Sequence, residues 1–357
     1  MRYEILRPSE FSPDLVSIWN DLLDQDEDLG SPFFTLEFAM AVGRCRDDLR
    51  IAVLRNSGEV TGFLPYHLKP GGCAAPVGGQ ICDYQGLIGV AIDPGPRGCR
   101  LLRDCGISSY DFNHGLAAQG MLEENAFSLS NSLRADLRGG YEQWRADVMA
   151  QTKQMAKANR LKRKMEREQG ALRFVRHDSS EQAWDTFVAW KDEALRQEGA
   201  VGFPGAAWID ALLRDIRETD TPRFAGLFST LYSGDRLVAA HFGMRSDRAW
   251  HWWFPSYDPA MRQYAPGLVL MLACIEEAAR MGLGELDFGR GTQLFKMQFG
   301  NRARRLCEGS LERTETVSGM ARALRKSAQS LANKVLPEQA ATFVRRAGTK
   351  VFRAGLI

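Results

Sequence analysis

The sequence lacks any pairing that would make its cysteines a framework. Seven cysteines (45, 73, 82, 99, 105, 274 and 307) form an odd set with no Cys-x-x-Cys pair, which excludes a disulfide scaffold and a cysteine zinc site and suits reduced thiols. Histidine is scarce as well. The five residues (67, 114, 177, 241 and 251) are scattered, and no two stand at the spacing of a helical metal site, so no metal is expected. Charge of one sign is missing: a net charge of +2 on 357 residues implies no general affinity for DNA or for a membrane, and only local clusters could supply one. Long hydrophobic runs are absent. The longest apolar stretch near a helix, residues 268–275, is far shorter than the roughly 20 residues a membrane span needs. The opening MRYEILRPSEFSPDLV alternates polar and apolar residues without the continuous core of a signal peptide, so a cytoplasmic location is expected. Asp287-Phe288-Gly289 matches the magnesium-holding triplet of a protein kinase, but the glycine-rich loop, the third-strand lysine and the His-Arg-Asp loop are all missing. The match is accidental.

What is present is a chain long enough for about two domains. Residues 15–23 and 36–46 carry helical periodicity. Two β-rich runs, 50–55 and 60–68, are joined by Asn56-Ser57-Gly58-Glu59, a hairpin signature. Residues 81–90 (ICDYQGLIGV) read as a short strand with polar insertions. A helix over 95–105 and strands over 109–113 and 128–136 complete an α/β unit. Residues 141–169 predict one helix, its second part dense in Lys and Arg and closed by Gly170. It reads as a connector between domains, and its basic face suits phosphate or RNA, although a solvated charged face is the commoner outcome.

The second half is clearer. A strand over 172–177 and helices over 180–197 and 206–219 precede three strands, 224–232, 237–245 and 249–255. The tight turns Ser233-Gly234-Asp235 and Ser246-Asp247-Arg248 make these an antiparallel meander. A helix over 266–281 has Pro266 in its first turn and Gly282 at its end. A strand over 285–288, a glycine loop, a short helix over 292–299 and a closing strand over 304–313 complete the domain. Trp250, Trp252 and Phe254 share one strand face by alternation, leaving Trp253 on the other.

That order of elements is the order of the GNAT N-acetyltransferase fold. Tyr257-Asp258-Pro259, Ala265-Pro266-Gly267, Leu286-Asp287-Phe288-Gly289-x-Gly291 and Phe295-Lys296-x-x-Phe299-Gly300 resemble the GNAT-like family named for bacterial cellulose biosynthesis proteins. Ser31-Pro32-Phe33-Phe34 and Cys82-Asp83-Tyr84-Gln85-Gly86 extend the resemblance into the first half. That family is related to the FemAB peptidoglycan aminoacyltransferases. The resemblance implies an α/β (α+β) chain of two tandem GNAT-like domains, each a mixed, largely antiparallel sheet flanked by helices. Their expected limits are 1–140 and 171–315, with the basic helical connector at 141–170 and a basic tail at 316–357. It further implies acyl transfer, from acyl-coenzyme A to a sugar or amine in the production of surface polysaccharide. Two alternatives stay open: aminoacyl transfer from charged tRNA, and a catalytically silent partner of a membrane polysaccharide synthase.

Candidate site residues follow. A helix start exposes unpaired N–H groups and partial positive charge, so Arg262, Gln263, Tyr264, Pro266 and Gly267 stand where the resemblance puts the coenzyme's pyrophosphate. An ordinary helix start is the competing reading. Acyl transfer passes through an oxyanion that a preorganised positive donor stabilises, and Lys296 is the candidate, against the alternative of a solvated lysine. Asp287 either shapes the glycine loop or acts as a base. Asp83 is a second acidic candidate, beside Tyr84 as a substrate contact. His241 is a candidate base or a core histidine. Trp252 and Tyr257 are candidates for stacking on a sugar, against plain core packing. In the tail, Leu324, Ala328, Leu331 and Val335 fall on one helical face among Lys and Arg, which suits contact with an anionic membrane or a synthase, or a solvated extension.

Overall fold

The computed structural model describes residues 2–90, 95, 98–199 and 202–313; the expected basic tail lies outside them. The chain forms two compact units, and neither is a contiguous stretch. The first comprises the described residues of Met1–Leu29, Arg46–Ser130 and Arg305 onward; the second comprises Gly30–Cys45 and Asn131–Arg304.

The first unit begins with β1 (Arg2–Leu6) and α1 (Pro13–Asp24). Ser12 caps α1 by accepting from the Leu15 N–H at 3.4 Å, Pro13 opens it, and Leu15, Trp19 and Leu23 form its buried stripe. Trp19 stacks on Phe63 with ring centroids 4.9 Å apart. The next helix, α2 (Leu36–Cys45), clusters with the second unit. Strands β2 (Leu49–Asn56) and β3 (Glu59–Leu68) form the expected hairpin, with Ser57 and Gly58 both at positive φ. Strand β4 (Cys73–Pro76) pairs antiparallel with β3. After the short β5 (Ile88–Gly89) and α3 (Cys99–Asp104), β6 (Ser109–Leu116) runs parallel to β4. The strand expected over 81–90 is absent apart from β5. Gly89 takes positive φ at its end, and between Ile81 and Leu87 the pairing reduces to a single parallel bridge of Gln85 with Gly115, beside which the Gln85 side chain accepts from the Asn113 and His114 N–H groups. A short helix α4 (Gly120–Glu124) follows.

Strand β7 (Ala126–Asp136) then leads into the second unit, where its end lies antiparallel to residues 285–290. The expected connector is two helices, α5 (Tyr141–Gln151) and α6 (Gln154–Gln169), because Thr152 adopts an extended backbone between them. They are part of the second unit's core rather than a linker. Trp144, Val148, Met155 and Met165 are buried in one cluster with Val269, Leu270, Cys274 and Ile275, while Lys157, Arg160, Lys162, Arg163 and Arg167 face solvent. Beyond them come β8 (Leu172–Val175), α7 (Glu181–Gln197) and α8 (Ala207–Arg217). The expected meander is present as β9 (Phe224–Ser233), β10 (Arg236–Ser246) and β11 (Ala249–Tyr257). Then α9 (Pro266–Arg280) crosses to β12 (Glu285–Arg290), which runs parallel to β11. A short α10 (Leu294–Phe299) and β13 (Arg302–Glu312) follow.

The same order therefore occurs twice: strand, helix, antiparallel strands, helix, parallel strand, short helix. The fold class is as expected, mixed α/β with sheet flanked by helices. The closing strand is not placed as the sequence suggests, because β13 pairs antiparallel with β6 of the first unit. No helix among the described residues is long and apolar enough to cross a membrane.

Trp144 tests the role of α5. Its ring is fully buried and its Nε1–H donates to the Phe299 carbonyl at 3.0 Å. Trp144→Ala is expected to lower stability by about 3–5 kcal/mol, measured as the shift of the urea unfolding midpoint, whereas a mere linker would lose almost nothing.

Candidate active site

Strands β11 and β12 pair over only three residues, from Ala249↔Glu285 to His251↔Asp287. Beyond that point β11 stays with β10 as far as Tyr257, and β12 stays with β7. The two parallel strands separate, leaving a wedge at their C-terminal ends, where α/β sheets hold ligands.

A bulge shapes one wall of the wedge. Phe242 faces Phe254 but Met244 faces His251, so Trp252 and Trp253 together oppose Gly243. A Cβ at Gly243 would strike the His251 carbonyl and the His241 ring. The freed Trp253 N–H donates to Nε2 of His241 at 3.1 Å, which puts the imidazole proton on Nδ1. Burial, then the nearby His251 and Lys191, hold the His241 pKa well below its ordinary value. The ring is neutral, stacked on Trp252 at 3.9 Å, with its basic nitrogen already engaged. His241 thus holds a backbone bulge and is not arranged as a general base. Nor does Trp252 offer a face to a sugar, being buried against that ring. The bulge also overturns the expected alternation: Phe254 stacks on Trp253 at 4.5 Å and packs on Phe203, away from Trp250 and Trp252.

The other wall is the end of β12. Gly289 and Gly291 take φ of 73° and 136°, so the chain turns sharply there. Asp287, buried, accepts from Ser132 Oγ at 2.8 Å and from the Gly289 N–H at 2.6 Å, and Arg304 stands 3.9 Å from its second oxygen. Its carboxylate thereby fixes the turn. Lys296 is 8% exposed rather than solvated. Its Nζ donates to the carbonyls of Gly289 (3.2 Å) and Arg290 (2.9 Å), so positive charge is held against the end of β12.

Between β11 and α9 the chain makes a 3-10 turn, Pro259–Tyr264, capped by Asp258, which also takes two bonds from Arg236. Ala265 sits in the left-handed region and α9 starts at Pro266. Arg262 and Gln263 are exposed beside this start. Tyr264 is buried, and its hydroxyl meets Gln169 and Glu168 on α6, so it serves packing. Tyr257 is 40% exposed and its ring lies where a Cβ on Gly267 would come within 3.5 Å. The fold thus brings Tyr257, Pro266 and Gly267 together at one helix start.

Asp83 and Tyr84 belong to the first unit. Tyr84 is buried and presents no surface to a solute. Asp83 lies 3.8 Å from Nε2 of His114, a residue that sequence reasoning treated only as one of five scattered histidines. Nothing in the local pattern marks it, since its position depends on a bulge.

Residues 152–297 match the protein-family model described as the acetyltransferase (GNAT) domain. No curated protein matches the chain. Among solved structures, FemX is similar with a TM-score of 0.56 at 9% identity, over 87% of this chain and 96% of that one. A C-terminal domain assigned to a lysylphosphatidylglycerol synthetase of Agrobacterium fabrum gives 0.53 at 11% identity, over 88% and 95%. L-PGS from Bacillus licheniformis gives 0.51 at 13%, over 89% and 97%. At such identities the likeness is one of fold. The fold is GNAT-like, and the matched segment contains the wedge, α9 and Lys296.

The His241 geometry has a pH consequence. A group whose folded pKa is depressed stabilises the fold fully above its unfolded pKa, and that contribution is lost as pH falls below it. For His241 the loss begins below about pH 6.5. His67 and His177, also lowered chiefly by burial, act in the same sense. His241→Gln, which keeps an acceptor for the Trp253 N–H, should flatten the acid-side slope of unfolding free energy by up to about 1.4 kcal/mol per pH unit. An unchanged slope would mean that the ring titrates normally.

Proposed function

We propose that the chain transfers an acyl group from acyl-coenzyme A to an amine or hydroxyl acceptor. The observation that carries the reading is the wedge between β11 and β12, with the start of α9 beside it, inside the segment that matches the GNAT domain. The residues present suit the coenzyme: a 15-residue helix opened by Pro266, the left-handed Ala265 before it, and exposed Arg262 and Gln263. The first-turn N–H groups and the helix dipole favour phosphate, and Arg262 adds a full charge. Gly267 leaves the approach open next to Tyr257. The coenzyme supplies the acyl thioester. Lys296 supplies fixed positive charge at the end of β12, Asp287 holds the turn that carries it, and a charge of that kind favours an oxyanion over a neutral carbonyl. The setting in surface polysaccharide production, and with it a saccharide acceptor, rests on the motif resemblance alone.

A second reading, aminoacyl transfer from charged tRNA, draws on one specific observation. The basic residues of α6 are exposed while its apolar residues are buried, which leaves a cationic stripe able to meet phosphates. A contact with a membrane or a synthase through the tail would depend on residues outside those described.

Acetyl-coenzyme A and longer acyl-coenzyme A thioesters should raise the melting temperature. At a hundredfold excess over Kd the stabilisation is about 2.7 kcal/mol. Arg262→Glu, on the exposed turn, should weaken the response without changing the unliganded melting temperature, and Gly267→Trp should abolish it. No response to any thioester, together with salt-sensitive binding of charged tRNA, would replace this reading with the second.

A further inference from the structure

A second lysine stands at the wedge, on the side away from α9. Past His251 the outer edge of β11 no longer faces β12. The Asp258 N–H donates to the Val238 carbonyl at 3.0 Å, so every second residue back from Asp258, namely Ser256 and Phe254, turns its N–H and C=O toward β10. The Pro255 carbonyl therefore points to the vacated edge, and proline, which has no N–H to give a ladder, suits that position. On this carbonyl sits the Lys191 ammonium of α7, at 3.4 Å, and it lies 6.0 Å from the centre of the Phe254 ring. Phe254 faces Phe242, against whose ring Trp184 of α7 packs, whereas α9 covers Trp250 and Trp252. Helices α7 and α9 thus lie on opposite faces of the sheet, and all of these residues belong to the second unit.

Lys191 is a poorly satisfied charge. Of its three N–H donors one meets a carbonyl, at a long distance, and no carboxylate among the described residues pairs with it. Burial holds its pKa below the ordinary lysine value, and Glu198 works against that shift. Buried charges are ordinarily paired. Yet Lys191, Phe254 and Pro255 are all partly exposed, so a solute can reach the ammonium. A compact cation with donors to spare suits a carboxylate or a phosphate. We propose that Lys191 anchors the acceptor, and that the acceptor is an amine or alcohol carrying an anionic group, a carboxylate or a phosphate. The donor lies along α9 and the acceptor enters from the α7 face, so the two meet through the gap between β11 and β12. The anchor's role rests on the acyl-transfer reading, so it is tested first without any acyl donor.

The probes are β-alanine, O-phosphoethanolamine and ethanolamine, small primary amines that carry a carboxylate, a phosphate and neither. Each is titrated into the full chain with isotope-labelled lysine. The Lys191 side-chain signal, identified by its loss in Lys191→Met, is followed by NMR. It should move with at least one of the anionic amines and stay in place with ethanolamine, and the amine that moves it names the anion. Lys191→Met should weaken that binding by about tenfold or more, as expected for loss of a charge-assisted contact. Because it removes a poorly paired charge, it should not lower the unliganded melting temperature. A signal unmoved by both anionic amines, or moved equally by ethanolamine, would overturn the proposal. A lowered melting temperature with unchanged binding would do the same, by making Lys191 a structural tie to β11. Should Lys191→Met fail to fold, Lys191→Arg identifies the signal and the wild-type titration decides. An anion-dependent shift with no melting response to any thioester would count against the donor reading and leave the anchor in place; a thioester response without the shift would overturn the anchor alone.

Discussion

The geometry of the wedge hangs on where one buried carboxylate sits. Asp287 is the last residue of β12 still paired with β11, and its side chain turns back to hold the Gly289 N–H and Ser132. Those bonds commit the end of β12 to β7. Around it, Glu285 takes Arg134 at 2.6 Å and Arg304 at 2.9 Å, so charges of opposite sign alternate across the unit. A buried ionic network of this kind adds little net stability over an apolar core, since desolvation offsets most of the attraction, but losing one member leaves a charge stranded. Its worth here is positional. It lets two parallel strands part after three residues, and it leaves the carbonyls of Gly289 and Arg290 for Lys296.

Both units solve the same local problem. A bulge leaves backbone N–H groups without ladder partners, and a buried N–H left unpaired carries a penalty of about 1–3 kcal/mol. In the second unit His241 accepts the Trp253 N–H; in the first, Gln85 accepts two, from Asn113 and His114. In each case a side chain stands in for a strand carbonyl, and its own remaining valence becomes fixed. For His241 that fixes a tautomer inside an apolar stack, where it is inert. For Gln85 it fixes Asn113 and through it His114, next to a partly exposed carboxylate. The same device closes a bulge in each unit, with an imidazole in one and an amide in the other.

Much of the second unit was legible in the sequence because its punctuation is local. Pro266 and Gly282 delimit α9, Ser180 caps α7 by accepting the Ala183 N–H, and short polar turns separate β9, β10 and β11. The glycines after Asp287 marked a turn for the same reason. What stayed hidden depends on partners far away in the chain. Alternation along β11 holds only while β10 keeps register, and the extra residue at Trp252–Trp253 moves Phe254 to the other face. Residues 81–90 carry strand composition, yet Gln85 spends its side chain on a neighbouring strand's backbone. The basic pattern of α6 was readable as a charged face, but Met155 and Met165, which tie that helix into a core, look like ordinary helix formers in isolation.

The strands that each unit takes from the chain were hidden for a related reason. Each half of the repeat ends in a strand after a short helix, and periodicity assigns that strand to the half it closes. Pairing assigns it otherwise: the end of β7 lies beside β12, and β13 lies beside β6. A strand's hydrophobic alternation states that one face is buried but not against which sheet, so two strands of similar pattern are interchangeable to a reader of sequence. The distinction lies in hydrogen-bond register, and register is set by the bulges and by the residues that clamp them. Ser132 and Arg134 on β7 are specific to β12 because their partners, Asp287 and Glu285, are there. The polar residues within these strands, rather than the apolar ones, decide which sheet each strand completes.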